Sequence, residues 1–219
     1  MHEFIKKHSD FWKNKSIRLN LILSLFFLIA SIVITYFASS YTDTYTGHVV
    51  PDLLLDHLPV VKVGFVFFQG AAAVMLFLIG LLFFEPKYIP FTFEATAVFF
   101  FVRSVFMVMT HLSAPSIEYY SYITREHHVT DTLFTVSSGN DLFFSGHAGF
   151  PLLLALIFWE KPRVRYFFIA CSSVGSAAVI LGHLHYSIDV FSAYFIAFGI
   201  FEFSKKIFKK EHQLLSEQN

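Results

Sequence analysis

Long apolar stretches separated by short polar segments make up most of the chain. Six of them have, or nearly have, the roughly 20 apolar residues that a helix needs to cross a bilayer; they cover residues 19–38, 60–84, 91–112, 143–159, 164–184 and 187–208. Such continuous runs are too long for barrel strands and must satisfy their own backbone hydrogen bonds, so helices are predicted. No repeat or linker divides them. The pattern predicts an all-α integral membrane protein, a single bundle of six transmembrane helices over residues 1–219.

The composition supports this interpretation. Only 15% of the 219 residues are charged, whereas soluble domains carry about 25%. The 30 Phe and 10 Tyr residues are more than a soluble core of this size needs. Sixteen basic and sixteen acidic residues cancel, so no net charge indicates a nucleic-acid partner. The expected partners are the bilayer and its lipids, and the oligomeric state is left open.

The distribution of Lys and Arg predicts the orientation in the membrane. Five of these residues precede the first stretch, one follows the second, three lie at the junction of the fourth and fifth, and four lie at or just after the end of the sixth. The opposite side has only Lys62 and Arg125. By the positive-inside rule, both termini are therefore cytoplasmic. The first stretch is longer than a signal-peptide core, so we expect it to remain as an uncleaved helix.

Eight of the eleven His residues lie in or beside the outward-facing regions. Four of them, His48, His57, His127 and His128, are interpreted as polar surface residues. No carboxylate or Cys stands around them at a spacing typical of metal ligands. We therefore expect neither a metal nor another cofactor.

The first polar cluster extends from Asn140 to His147, at the start of the fourth stretch. Ser145 is a favourable helix N-cap, and Gly146 allows close approach of a ligand to the backbone. Free N–H groups and the positive end of the helix dipole would then form an anion site. His147, in the first turn, can protonate an oxygen that leaves a phosphate. The alternative is a simple helix cap with His147 at the level of the headgroups.

The second polar cluster, His185-Tyr-Ser-Ile-Asp189, lies between the fifth and sixth stretches. His185 and Asp189 are four residues apart and lie on one helical face if this turn is helical. A carboxylate that holds one imidazole N–H leaves the other nitrogen as a nucleophile or base. Asp189 is also costly to place at a membrane boundary without a partner or a function. The alternative is a helix start that Asp189 only caps.

Arg103 lies within the third stretch, where a charged side chain indicates a function by default. Its guanidinium suits phosphate oxygens, and the alternative is an ion pair with a carboxylate such as Asp189. Glu94 and Glu202 lie towards the cytoplasmic ends of their stretches and are interpreted as structural. Two His, one Asp and one Arg are thus expected at similar depth, and phosphoryl transfer needs such a set.

These residues resemble motifs of the type-2 phosphatidic acid phosphatase superfamily, and more closely its sphingomyelin synthase-related branch. Asn140-Asp141-x3-Ser145-Gly146-His147-Ala148 resembles the branch's Gly-Asp-x3-Ser-Gly-His-Thr. His185-Tyr186-Ser187-Ile188-Asp189-Val190 matches its His-Tyr-Ser/Thr-x-Asp-Val/Ile. The segment from Arg103 to Ser113 is similar to an Arg-containing motif that ends in Thr-x-Leu-Pro. The resemblance covers about residues 95–200.

The resemblance implies a six-span bundle with its site on the exoplasmic side. It implies that His185 is the nucleophile that forms a phosphohistidine, that Asp189 orients it, and that His147 protonates the leaving alcohol. Substrate contacts are expected from five residues: Arg103, Asp141, Ser145, Gly146 and Tyr186.

The sequence also departs from the family pattern. No Lys-x6-Arg-Pro occurs, and Val179 stands where other branches have a phosphate-binding Arg. Both departures count against a vanadate haloperoxidase or a standard phosphatidate phosphatase. Ala148 replaces a Thr of the branch and Ser113 replaces a Pro, so the choice of acceptor can also differ.

Three functions are compatible with these motifs. The first is a lipid phosphotransferase or phosphodiesterase on the exoplasmic face. The second is a lipid phosphate phosphatase, in which water replaces the acceptor alcohol. The third is a non-enzymatic lipid-binding or transport bundle, although no helix broken by Gly or Pro at the midplane indicates transport. In each case the ligand is a phospholipid or a lipid phosphate, and the size suits a bacterial inner-membrane protein with its site facing the periplasm.

Overall fold

The computed structural model describes residues 12–13, 15–44, 47–110, 112–116, 118–119 and 142–216. Within these ranges the chain forms seven helices of eight residues or more and no β-strand. Helix α1 covers Lys15–Asp43, α2 Gly64–Phe84, α3 Ile89–Met109, α4 Gly146–Ile157, α5 Pro162–Leu181, α6 Ser187–Ile207 and α7 Lys209–Ser216. The predicted all-α class is confirmed for the part of the chain described here.

Five of the described helices, α1, α2, α3, α5 and α6, are long and apolar enough to cross a membrane. Helix α4 differs from the prediction for residues 143–159, because it has only 12 residues. At 1.5 Å per residue its length is about 18 Å, whereas the hydrocarbon core of a bilayer is about 30 Å thick. The helix begins only after Ser145, whose backbone is extended, and it ends at the turn that Phe158 starts. Helix α4 alone is therefore too short to cross.

Helix α4 is nevertheless central to the bundle. It packs between α5 and α6, while α1 lies along α3. Leu153, Leu154 and Ala155 of α4 have no exposed surface. Aromatic rings fill the space around it, and five of them are fully buried: Phe91, Phe99, Phe144, Phe158 and Phe168.

The outward faces of the long helices carry large apolar side chains. Phe195 on α6 is 79% exposed, Phe65 on α2 is 74% exposed and Leu76 on α2 is 69% exposed. Such surfaces are unfavourable in water, and extensive ones mark membrane or protein contacts. Together with the lengths of the helices, they indicate a membrane protein.

Residues 47–63, which we call the outer segment, cross one end of the bundle between α1 and α2. The backbone N–H of Val61 donates to the carbonyl of Leu181 at 2.8 Å. His183 Nε2 lies 3.1 Å from the carbonyl oxygen of Leu58. The outer segment is thus held against the end of α5 and the turn that leads to His185.

The opposite end of the bundle carries ion pairs, one between the residue after α2 and the residue before α5, and one within α6. Lys161 pairs with Glu85 at 2.7 Å, and Glu202 pairs with Lys205 at 2.9 Å. Glu94 is only 4% exposed, and its Oε2 has no hydrogen-bond partner among the described residues. The contacts of Glu202 agree with a structural role.

Candidate active site

His185 and Asp189 form a buried pair at the start of α6, where they are 5% and 0% exposed. His185 Nδ1 lies 3.3 Å from Asp189 Oδ2. A ring nitrogen that faces a carboxylate carries the proton, so Nε2 holds the lone pair when the ring is neutral. Nε2 has no hydrogen-bond partner in the described part of the chain. The arrangement leaves one imidazole nitrogen available for chemistry.

Asp189 also caps its own helix. Its Oδ2 accepts the backbone N–H of Tyr186 at 3.0 Å, which is half of the capping box at the start of α6. Asp189 can therefore both orient His185 and cap α6, because its Oδ2 contacts the imidazole and the backbone N–H of Tyr186. The ion partner of Asp189 is His185, whereas its Oδ1 has no partner among the described residues.

The Ser145-Gly146-His147 motif begins α4 next to this pair. The backbone N–H of Ser145 donates to the carbonyl of Asp189 at 2.9 Å, so the two motifs are in direct contact. Ser145 occupies the predicted N-cap position, but its hydroxyl does not cap the helix. That hydroxyl is fully buried and has no partner in the described residues. An unsatisfied buried hydroxyl costs about 1–3 kcal/mol, so a ligand oxygen here would relieve a penalty.

His147 is held by helix α2. Its ring stacks on Phe67 with 4.1 Å between the ring centroids, and its Nε2 lies 3.1 Å from the carbonyl oxygen of Phe67. A nitrogen facing a carbonyl must carry a proton, so Nδ1 is the nitrogen that can change protonation state. Ser145, two residues before His147, bonds to the backbone of Asp189, so His147 lies near the His185–Asp189 pair.

Arg103 places a positive charge at the start of α4. It is 8% exposed, and its Nε donates to the carbonyl oxygen of Phe144 at 3.4 Å. A Cβ atom on Gly146 would lie 3.8 Å from the same nitrogen. The guanidinium therefore lies beside the backbone of the motif, where the sequence predicted an anion site.

Two strained residues precede the two motifs. Phe144 has a φ of 38° and His183 a φ of 50°, and they are the non-glycine residues with positive φ in the described chain. This left-handed conformation costs roughly 1–2 kcal/mol per residue. The contact of Phe144 with Arg103 and that of His183 with Leu58 help to hold these conformations. Such strain concentrates at functional sites.

Tyr186 lies between the site and the outer segment. It is 1% exposed, and its hydroxyl donates to the carbonyl of Ser113 at 2.9 Å and accepts the N–H of Val50 at 3.2 Å. Burial, reinforced by the nearby carboxylates of Asp189 and Asp52, raises the pKa of Tyr186, although its bond from Val50 acts to lower it. Its phenol is therefore neutral at physiological pH. Contact between Tyr186 and substrate stays a prediction.

Some candidates of the sequence analysis lie outside the described residues. They are Asp141, Arg125, His127 and His128. Among the residues that are described, no three His, Cys, Asp or Glu side chains form a group that could hold a metal ion.

Asp52 in the outer segment was not predicted from the sequence. Its Oδ2 accepts the backbone N–H of Ser187 at 2.7 Å and the hydroxyl of Ser187 at 2.9 Å. Asp52 thus reaches the residue midway between His185 and Asp189. No spacing pattern points to it, because it lies 135 residues from its partner.

Comparison with known proteins supports one superfamily. No curated protein matches the chain. Residues 138–207 match the family model described as PAP2 superfamily C-terminal, and this range includes both motifs. The match supports membership of the chain in the PAP2 superfamily.

Proposed function

We propose that this protein moves or cleaves a phospholipid headgroup on the exoplasmic face of a membrane, through a phosphohistidine on His185. It would be a phosphotransferase or phosphodiesterase of the sphingomyelin synthase-like type. The observation that carries the proposal is the buried His185–Asp189 pair, with 3.3 Å between Nδ1 and Oδ2, in contact with the start of α4. The PAP2 superfamily match supports a lipid phosphatase or phosphotransferase in general.

In the first step, Nε2 of His185 attacks the phosphorus of the phospholipid. The new N–P bond replaces the bond from phosphorus to the glycerol oxygen, and the proton stays on Nδ1, hydrogen-bonded to Asp189. The leaving oxygen takes a proton from Nδ1 of His147 and departs as diacylglycerol. Both histidines are needed in different protonation states, because one attacks and the other donates.

In the second step, an acceptor hydroxyl gives its proton to His147 and attacks the phosphorus. The N–P bond breaks, and Nε2 of His185 recovers its lone pair. With a lipid alcohol as acceptor the reaction is headgroup transfer. With water it is hydrolysis, and the same residues serve both outcomes.

The negative charge on the phosphate oxygens requires donors that are already in place. Arg103 supplies a cation, and the hydroxyl of Ser145 and the backbone at Gly146 supply neutral donors at the start of α4. We propose that these three residues bind the phosphate. Asp141 and Tyr186 are proposed as further substrate contacts because they belong to the same two motifs.

Headgroup turnover in detergent micelles tests the function. The purified protein is given phosphatidate, a phosphatidyl-headgroup lipid, or that lipid with added ceramide or diacylglycerol. We expect an exchanged headgroup or a new phosphosphingolipid. Inorganic phosphate released from phosphatidate alone would assign the protein to the lipid phosphate phosphatases instead. No turnover of any lipid by the folded protein would overturn an enzymatic function and favour the lipid-binding or transport alternative.

We also propose six membrane crossings with both termini in the cytoplasm, and a bacterial inner membrane as the location. Helix α4 is short, but His147 in its first turn contacts Phe67 of α2. Lys161, four residues after the end of α4, pairs with Glu85, the residue that follows α2. Phe67 and Glu85 are 18 residues apart, which is about 27 Å of helix. The α4 segment with its following turn therefore extends about as far as a crossing requires.

Cysteine labelling tests this orientation. In a Cys171→Ala background, Leu53→Cys in the outer segment and Lys210→Cys on α7 each introduce one exposed thiol. We expect a membrane-impermeant maleimide to label Leu53→Cys in intact cells and to label Lys210→Cys only after the membrane is permeabilised. Labelling of Lys210→Cys in intact cells would contradict the proposed orientation.

A further inference from the structure

We propose that Asp52 is a positioning residue of the site, which holds the first turn of α6 so that His185 and Asp189 keep their reactive geometry. This inference rests on the proposed function. It is carried by the contact between Asp52 and Ser187, which joins the outer segment to the middle of the second motif.

The two carboxylate oxygens of Asp52 serve two different elements. Oδ1 accepts the backbone N–H groups of Leu54 and Leu55 at 3.0 and 3.2 Å, within the outer segment. Oδ2 accepts both donors of Ser187 at 2.7 and 2.9 Å. Asp52 is 8% exposed. The side chain is therefore a bridge between a tight turn and the start of α6.

The charge of Asp52 suits this position. The first N–H groups of a helix have no partner within the helix, and the N-terminus carries a partial positive charge. Partial burial acts to raise the pKa of Asp52, but its hydrogen bonds from Ser187, Leu55 and Leu54 outweigh burial and lower it. The carboxylate is therefore ionised at neutral pH, and hydrogen bonds to an ionised acceptor are the stronger kind.

The contact is close to the chemistry along the chain. Ser187 is two residues after His185 and two residues before Asp189. The neighbouring Tyr186 is held by the same segment, through the N–H of Val50. The outer segment thus fixes two consecutive residues between the proposed nucleophile and the residue that orients it. Loss of Asp52 would leave the backbone and hydroxyl donors of Ser187 without their acceptor.

Kinetics of three variants test the proposal. We expect Asp52→Ala to lower kcat about 10- to 100-fold, the loss typical of a misplaced reacting group, with little change in KM. Asp52→Asn keeps one acceptor oxygen, so its kcat should lie between that of Asp52→Ala and wild type. Asp56→Asn changes an exposed carboxylate of the same segment and should retain wild-type kcat.

A double-mutant cycle adds a readout that general destabilisation would not move. Ser187→Ala removes the hydroxyl that donates to Asp52 and keeps the N–H. Because the two side chains are in contact, the effects of Asp52→Ala and Ser187→Ala on kcat should be less than additive. Additive effects, or a kcat for Asp52→Ala within twofold of wild type, would overturn the positioning role.

Hydrogen–deuterium exchange separates this proposal from the proposed function. In Asp52→Ala, peptides that cover residues 183–190 should exchange faster than in wild type, whereas Asp56→Asn should leave them unchanged. Unchanged exchange in Asp52→Ala overturns the positioning role whatever the activity. If wild type turns over no lipid, the enzymatic function fails, and faster exchange still supports the hold of Asp52 on α6.

Discussion

Replacing His185 with alanine is expected to lower headgroup turnover by at least about a thousandfold. The proposed intermediate needs a nitrogen lone pair at Nε2, and alanine offers none. In the proposed mechanism His147 has a different task, because its Nδ1 exchanges a proton with the leaving and attacking oxygens while its Nε2 is held by the carbonyl of Phe67 at 3.1 Å. The measurement is turnover of the active lipid, beside recovery of an acid-labile phosphorylated protein from wild type and its absence from His185→Ala.

His57→Ala is the matched control for this experiment. His57 is exposed at the same end of the bundle, and its Nδ1 lies 2.9 Å from the carbonyl oxygen of Leu53, a local contact. We expect this variant to retain wild-type turnover. Substantial turnover by folded His185→Ala would exclude His185 as the nucleophile. Equal losses in both variants would mean that the effect is not specific to the site.

The second large effect is expected from Gly175→Ala on α5. A Cβ atom at this position would lie 2.5 Å from the carbonyl oxygen of His147 and 3.2 Å from its carbonyl carbon. Because the overlapping atoms belong to the backbone of His147, the steric overlap can be removed only if α4 and α5 move apart. We expect a loss of stability of about 1–3 kcal/mol, typical of overpacking. Turnover should fall by roughly a hundredfold, since His147 moves with α4.

Gly199→Ala on α6 provides the comparison. A Cβ atom there would meet no atom within 4 Å, so the same chemical change should leave turnover and thermal stability at or slightly above wild type. Thermal unfolding in detergent and lipid turnover would be measured for both variants. Wild-type behaviour of Gly175→Ala would contradict the close approach of α5 to His147.

The helical class could be predicted because the bilayer imposes a simple rule on composition and length. Five of the predicted stretches correspond to long apolar helices, with ends that differ by a few residues. Helix α4 was the exception, since the apolar run from residue 143 includes Phe144, whose positive φ precludes a helix there. Hydropathy is insensitive to such a change in backbone conformation.

The candidate site could be predicted in part. Both clusters could be recognised from residue types and spacing, since His185 and Asp189 are only four positions apart. The residues that hold these clusters in place could not be predicted. Phe67 is 80 residues from His147, and Asp52 is 135 residues from Ser187. Phe67 contacts His147 through its backbone carbonyl, a group that every residue has, so residue type cannot reveal this contact.

The sequence by itself determined the class of the protein and the chemical groups at its disposal. Continuous apolar runs require helices in a membrane. The imidazole of His185, the carboxylate of Asp189 and the guanidinium of Arg103 are present in the sequence whatever the fold. Only the tertiary structure decided which nitrogen of each histidine is held, through Asp189 Oδ2 and the carbonyl of Phe67. It also decided that the outer segment supports the start of α6. The physical reason is that hydrogen bonds depend on atomic positions a few ångströms apart, which distant segments acquire only when the helices pack.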